Sequence, residues 1–76
     1  MSIVAYMFVG TNIDPAEFVQ AVRALEGVTA AHALFGPLDA IVMVEAPDKT
    51  ALEAVVGNVH RTPGLKSGDT SLARSV

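Results

Sequence analysis

Five residues at the middle of the chain, Phe35-Gly36-Pro37-Leu38-Asp39, separate two halves built to one plan, and this duplication narrows the possible folds more than any other feature. Gly36-Pro37 is a strong turn signal, because proline holds its own φ near the value a tight turn needs at its second position and pushes its predecessor out of the helical region. Each half runs strand, capped amphipathic helix, glycine, strand. Leu25-Glu26-Gly27-Val28 in the first half is echoed by Thr62-Pro63-Gly64-Leu65 in the second. Two such units joined by a hairpin predict βαββαβ, the split β-α-β or ferredoxin-like α+β arrangement, in which a four-stranded antiparallel sheet carries two helices on one face.

The local signals agree with that plan. Ile3 to Val9 is apolar at every position, which predicts a central strand buried on both sides, with Gly10 ending it. Asp14-Pro15-Ala16-Glu17 then combines an N-cap residue, proline at the first helical position and an acid three residues after the cap. Phe18, Val22 and Leu25, with Ala21 beside them, form one apolar stripe, and Glu26-Gly27 stops the helix. The second strand is expected over Val28 to Phe35, where Thr29 and His32 are polar and Ala30, Ala31 and Ala33 leave room for a helix or a second sheet to come close. A third strand spans Ala40 to Ala46. The second helix starts with Pro47 or Asp48 at its cap, repeats Leu52, Val55, Val56 and Val59 at helical spacing, and breaks at Pro63-Gly64. Leu65 to Ala73 is a last, more polar strand, and Gly68 and Asp69 within it suit an edge.

Seventy-six residues make a single domain, 1–76, which on its own buries only about three fifths of its unfolded surface. Hydrophobic residues are 51% of the chain, and both the first and third strands are apolar on two faces, so the side left bare by the helices needs a cover. A second copy is the simplest one: sheet packed on sheet about a two-fold axis, a dimeric α+β barrel. Burying even about 500 Å² there contributes roughly 12 kcal/mol before the costs of association. The chain has no cysteine, which excludes thiol catalysis and zinc–cysteine sites and gives no sign of an oxidising compartment. No cationic stretch precedes the first apolar run, and Ile3 to Val9 is too short for a signal-peptide core or a membrane span, so a cytoplasmic location without membrane contact is expected. A net charge of −3, with Arg23, Lys49, Arg61, Lys66 and Arg74 scattered, argues against direct nucleic-acid binding.

Asp39 stands at the mouth of the third strand, where its carboxylate can accept hydrogen bonds from the loop's own N–H groups or face a ligand. Other constellations offer less. His32 and His60 lack metal-ligand spacing, and Asp14, Glu17 and Asp48 suit helix caps and first turns. Ser67, Ser71 and Ser75 sit in no nucleophile motif, while Met1, Met7 and Met43 fit a core better than a soft-metal site. Tyr6 with His32 is the best argument for catalysis, as a proton-transfer pair beneath the sheet. No catalytic residue, metal or cofactor is expected.

With these residues in place, the chain resembles the ligand-binding module of the Lrp/AsnC transcriptional regulators, the RAM domain, and most closely its stand-alone form lacking the helix-turn-helix. The likeness is carried by Ala5-Tyr6-Met7-Phe8-Val9, Leu25-Glu26-Gly27-Val28, Gly36-Pro37-Leu38-Asp39 with the strand that follows, and Pro63-Gly64-Leu65 through Asp69-Thr70. The resemblance implies a homodimer formed through the sheets, rings of dimers that are often octameric, and a free amino acid bound in the cleft between neighbouring dimers. It also implies full-length Lrp/AsnC regulators as partners. The family's hairpin motif reads glycine, any residue, aromatic, aspartate, so Gly36 and Asp39 match it. Leu38 replaces the aromatic, which favours a smaller aliphatic ligand or none, and Thr70 corresponds to a last-strand hydroxyl facing the cleft. A glycine-containing loop beside a carboxylate suits a zwitterion, since Gly36, Leu38 and Asp39 together offer N–H donors and a counter-charge. Two alternatives stand beside an amino-acid-responsive module: a cofactor-free, monooxygenase-like enzyme on the same barrel, and a purely structural assembly module.

Overall fold

The computed structural model describes residues 2–34, 36 and 38–73, with residues 69–73 described as backbone. Its elements follow the order β1 (Ile3–Thr11), α1 (Pro15–Arg23), β2 (Val28–Ala33), β3 (Ala40–Ala46), α2 (Lys49–His60) and β4 (Leu65–Ala73). The strands form one antiparallel sheet in the order β2-β3-β1-β4, so the two most apolar strands lie at its centre and the polar β4 at an edge. This is the ferredoxin-like α+β fold that the duplicated plan predicts.

Alternation along β1 sorts the core from the bare face. Ala5, Met7 and Val9 are fully buried, and with Val42 and Val44 of β3 they meet Phe18, Val19 and Val22 of α1 and Leu52 and Val59 of α2 in one cluster. Both helices therefore cover the same side. The other side shows Val4, Phe8, Ile41, Met43 and Ala30 half-buried and Tyr6 exposed, with nothing of the described chain laid over them. Ladder partners share a face, and here Tyr6 stands opposite Met43 and Phe8 opposite Ile41.

The helix ends follow the sequence signals closely. Asp14 accepts a hydrogen bond from Ala16 N–H at 3.0 Å with Pro15 just inside, and Asp48, not Pro47, caps α2 by accepting from Ala51 N–H at 2.7 Å. The echoed glycine turns are the same turn twice. Gly27 and Gly64 hold φ of 90° and 101°, and Val28 and Leu65 N–H groups bond back three residues, to the carbonyls of Leu25 and Thr62. A side chain at either glycine would be strained and would strike Val55 or Ile13 respectively.

Three boundaries differ from expectation. Helix α1 ends at Arg23 with Ala24 as C-cap, because the last residues before Gly27 are drawn into tighter turns, Leu25 N–H bonding the Val22 carbonyl. Strand β2 ends at Ala33; Phe35, on which its longer expected form depended, lies outside the described residues, as do Pro37, Met1 and Arg74. Strand β1 does not stop at Gly10 but runs through it to Thr11 with a register shift between the two, since β4 continues to pair there, Gly10 with Ser67 and Thr11 with Leu65.

Candidate functional site

The shifted end of β1 and the β2–β3 loop meet through Asp39. Its backbone N–H donates to the Val9 carbonyl at 3.0 Å, and its Oδ2 accepts from Thr11 N–H at 2.8 Å. Asp39 thus holds β1 on both sides of Gly10, supplying an acceptor to an amide that lies past the last β1–β3 pair, Val9 with Ala40. Among the described residues the carboxylate's partner is therefore the N–H of a neighbouring strand, where the turn chemistry suggests the loop's own N–H groups or a ligand. On the loop's other side Leu34 N–H donates to the Asp39 carbonyl at 2.8 Å and closes the hairpin.

Gly10 shows what else converges at this end of the sheet. A Cβ built there would lie 2.8 Å from Ser67 Oγ and 3.7 Å from Asp39 Oδ2, so the serine hydroxyl and the carboxylate flank one bare stretch of backbone. Asp39 and Leu38 are half-buried, while Gly36 and Ser67 are exposed. One carboxylate oxygen is occupied by Thr11; Oδ1 has no hydrogen bond among the described residues. The arrangement offers an anionic oxygen with no partner among the described residues, a hydroxyl that can donate or accept, and backbone amides of the loop, set against Leu38. That is the chemistry needed to hold an ammonium and orient a small apolar group.

Of the residues expected to line a site, Gly36, Leu38 and Asp39 lie together on this loop. Thr70 stands opposite Met7, three pairs along β4 from the Gly10–Ser67 pair, and its side chain lies outside the described part of the structure. Ser67 is the residue that sequence reasoning passed over as edge polarity. Only the register of β1 against β4 brings it to Gly10, and that register is shifted by a bulge no local motif announces.

Tyr6 and His32 do not form a pair. Tyr6 sits opposite Met43 and His32 opposite Ile41, so β3 runs between them. Two strand spacings, about 10 Å, separate their backbones, and both side chains are exposed on an open face. His60 ends α2 on the other side of the sheet, 3.6 Å from where a Cβ on Gly68 would stand. No group of three or more metal-ligating side chains occurs among the described residues, and none of the described helices is long and apolar enough to cross a membrane.

Two open concavities lie at the opposite end of the sheet. One, about 560 Å³, is lined by Ser2, Thr29, Glu45, Ala46 and Pro47, and the other, about 290 Å³, runs between Glu26-Gly27 and α2. In the first, Ser2 Oγ donates to Glu45 Oε2 at 2.6 Å and Thr29 Oγ1 to the Met43 carbonyl at 3.2 Å. The Asp39 end is the better candidate because Gly36, Leu38 and Asp39, expected from the sequence to line a site, come together there with Ser67.

Sheet order and duplicated turns together define a ferredoxin-like domain whose β2–β3 loop carries the candidate site. The chain belongs to the Lrp/AsnC ligand binding domain family, whose family model matches residues 5–76. No curated protein matches it in sequence. Among solved structures, TTHA0845 from Thermus thermophilus superposes with a TM-score of 0.86 at 22% identity, covering 97% of this chain and 95% of its own. AsnC of E. coli gives 0.84 at 17% identity, covering 97% of this chain and 52% of its own. The Neisseria meningitidis transcriptional regulator NMB0573, solved as a complex with L-Met, gives 0.80 at 22% identity, covering 96% and 50%. The chain thus spans about half the length of these two regulators and nearly all of the Thermus protein. At these identities the superpositions speak for the fold.

Proposed function

We infer that this domain is an amino-acid-responsive assembly and effector-binding module, with no catalytic activity, whose ligand site is built on Gly36, Leu38 and Asp39, together with Thr70 of β4. The observation that carries the reading is a carboxylate with one oxygen fixed by Thr11 N–H and the other making no hydrogen bond among the described residues, since an anion already locked in place needs little further ordering to receive an ammonium. Leu38 supports a small aliphatic ligand. The bare face of β1 and β3 is covered by a second copy, and pairs assemble further into rings such as octamers, so that the loop end sits in a cleft between subunits. Contact with DNA is left to full-length Lrp/AsnC regulators that co-assemble with it in the cytoplasm, in keeping with the chain's net charge of −3.

A thermal-shift panel of free amino acids tests this. A ligand at 100 times its Kd adds about 2.7 kcal/mol, a rise of about 10–20 °C in Tm for a domain this small. Asp39→Asn keeps an oxygen for Thr11 N–H while removing the charge, so it should abolish the ligand shift and leave the unliganded Tm within a few degrees. A flat panel, or a shift that survives Asp39→Asn, overturns the site; intact assembly with a flat panel points to a purely structural module.

A further inference from the structure

Glycine weakens a strand interior, and where it stands in one it commonly marks a bulge or a close approach by a ligand or another backbone. Gly10 pairs with Ser67 near the end of β1, and the conformation of its backbone does not require it, since the glycines at positive φ are Gly27, Gly36 and Gly64. Nor is it the extra residue of the irregular step. Gly10 pairs with Ser67 and Thr11 with Leu65, so the residue that the ladder skips is Lys66, on β4. What distinguishes Gly10 is its missing side chain, whose Cβ would stand 2.8 Å from Ser67 Oγ and 3.7 Å from Asp39 Oδ2. The bare backbone is thus the floor of a notch with a hydroxyl on one side and a carboxylate on the other. Lys66 is exposed and adjoins Ser67 in the chain, at a step of the kind that re-aims a side chain.

We propose that the notch over Gly10 seats the charged end of a free amino acid, Lys66 taking its carboxylate, Asp39 its ammonium and Ser67 Oγ bonding beside them, so that amines and amino-acid amides are turned away. This rests on the reading of the Asp39 loop as an amino-acid site and supplies the cation that the loop lacks. The two charged groups of an amino acid flank a single carbon, so their partners have to converge on one spot from different elements. A carboxylate brought close to Asp39 would be repelled unless a positive charge stood by. Lys66 provides it as a compact ammonium on a flexible four-carbon stem, which can meet a small ligand without the fixed approach of a guanidinium fork. The Ser67 hydroxyl can donate to the carboxylate or accept from the ammonium. Gly10 keeps the space between Ser67 and Asp39 open, which any side chain there would fill.

The experiment is calorimetric titration of the full chain with L-alanine, L-valine and L-leucine, each beside its carboxamide, at about pH 6.5, where the amino groups of both stay protonated. The unsubstituted chain should bind at least one of the amino acids about tenfold or more tighter than its carboxamide. Lys66→Met keeps the stem and removes the charge, so it should weaken the amino acid about tenfold or more and leave any carboxamide binding within about twofold, and Lys66→Arg should recover most of the loss. Lys66 is exposed, so its variants should hold the unliganded Tm within a few degrees. Gly10→Ala should weaken the amino acid about tenfold or more; if it does not fold, Ser67→Val fills the same notch from the facing strand and is read in its place. Unchanged amino-acid binding in Lys66→Met, equal loss of amino acid and carboxamide there, or a carboxamide bound as tightly as its amino acid by the unsubstituted chain overturns the role of Lys66 and leaves the Asp39 site standing. Full binding in the variant that fills the notch overturns the notch. A chain that binds none of the three amino acids overturns the Asp39 site and this assignment together.

Discussion

Asp39 serves the fold and the candidate site with different atoms, which sets what its substitutions should do. Asp39→Ala leaves Thr11 N–H without its acceptor at a half-buried position, so it should cost about 1 kcal/mol of stability, read by denaturant unfolding, whereas Asp39→Asn should cost little. A ligand assay on the alanine variant alone would therefore mix the loss of a binding group with a loosened end of β1. The importance of Asp39 was legible from its place after Gly36-Pro37. Its donor was not, because Thr11 lies 28 residues away and reaches the loop only when β1 and β3 pair. Ser67 and Arg23 were hidden for the same reason: a serine in a polar strand and an arginine at a helix end acquire meaning only from what stands across from them.

Among the elements, the helices were the most legible, since caps and apolar stripes are local in sequence. Asp14, Pro15 and Asp48 do what their residue types predict. One feature of α2 runs against its own propensity. Gly57 sits inside the helix, where glycine costs about 0.5–1 kcal/mol relative to alanine. A Cβ there would meet only the Arg61 guanidinium, 3.2 Å away at the far end of an exposed and flexible side chain that leans back over the helix to Asn58 Oδ1 at 2.6 Å. Gly57→Ala should therefore stabilise the domain by about 0.5 kcal/mol and raise Tm by about 2–4 °C, measured by circular dichroism. A loss instead would mean that the Arg61–Asn58 contact cannot move aside. The strands were less legible at their ends, because β1 passes through a glycine and a bulge that only its neighbours stabilise.

At the scale of the whole molecule the decisive feature is the bare side of the sheet. Met43, half-buried at the centre of that face between Tyr6 and Ala30, faces away from the core. Met43→Lys should leave monomer stability within about 1 kcal/mol, as expected for a site outside the core, yet abolish self-association in sedimentation or light scattering by placing an unpaired charge where apolar surface would meet. Association that survives it would place the contact elsewhere. The sequence by itself determined the element order, the helix caps, the two glycine turns and the doubly apolar central strands, because propensity, capping and alternation act over a few residues. Tertiary structure alone decided that Asp39 accepts from Thr11 N–H, that Ser67 stands over Gly10 and that Arg23 donates to the Ala31 carbonyl, because each depends on strand register or helix placement, which are set by the packing of the whole chain.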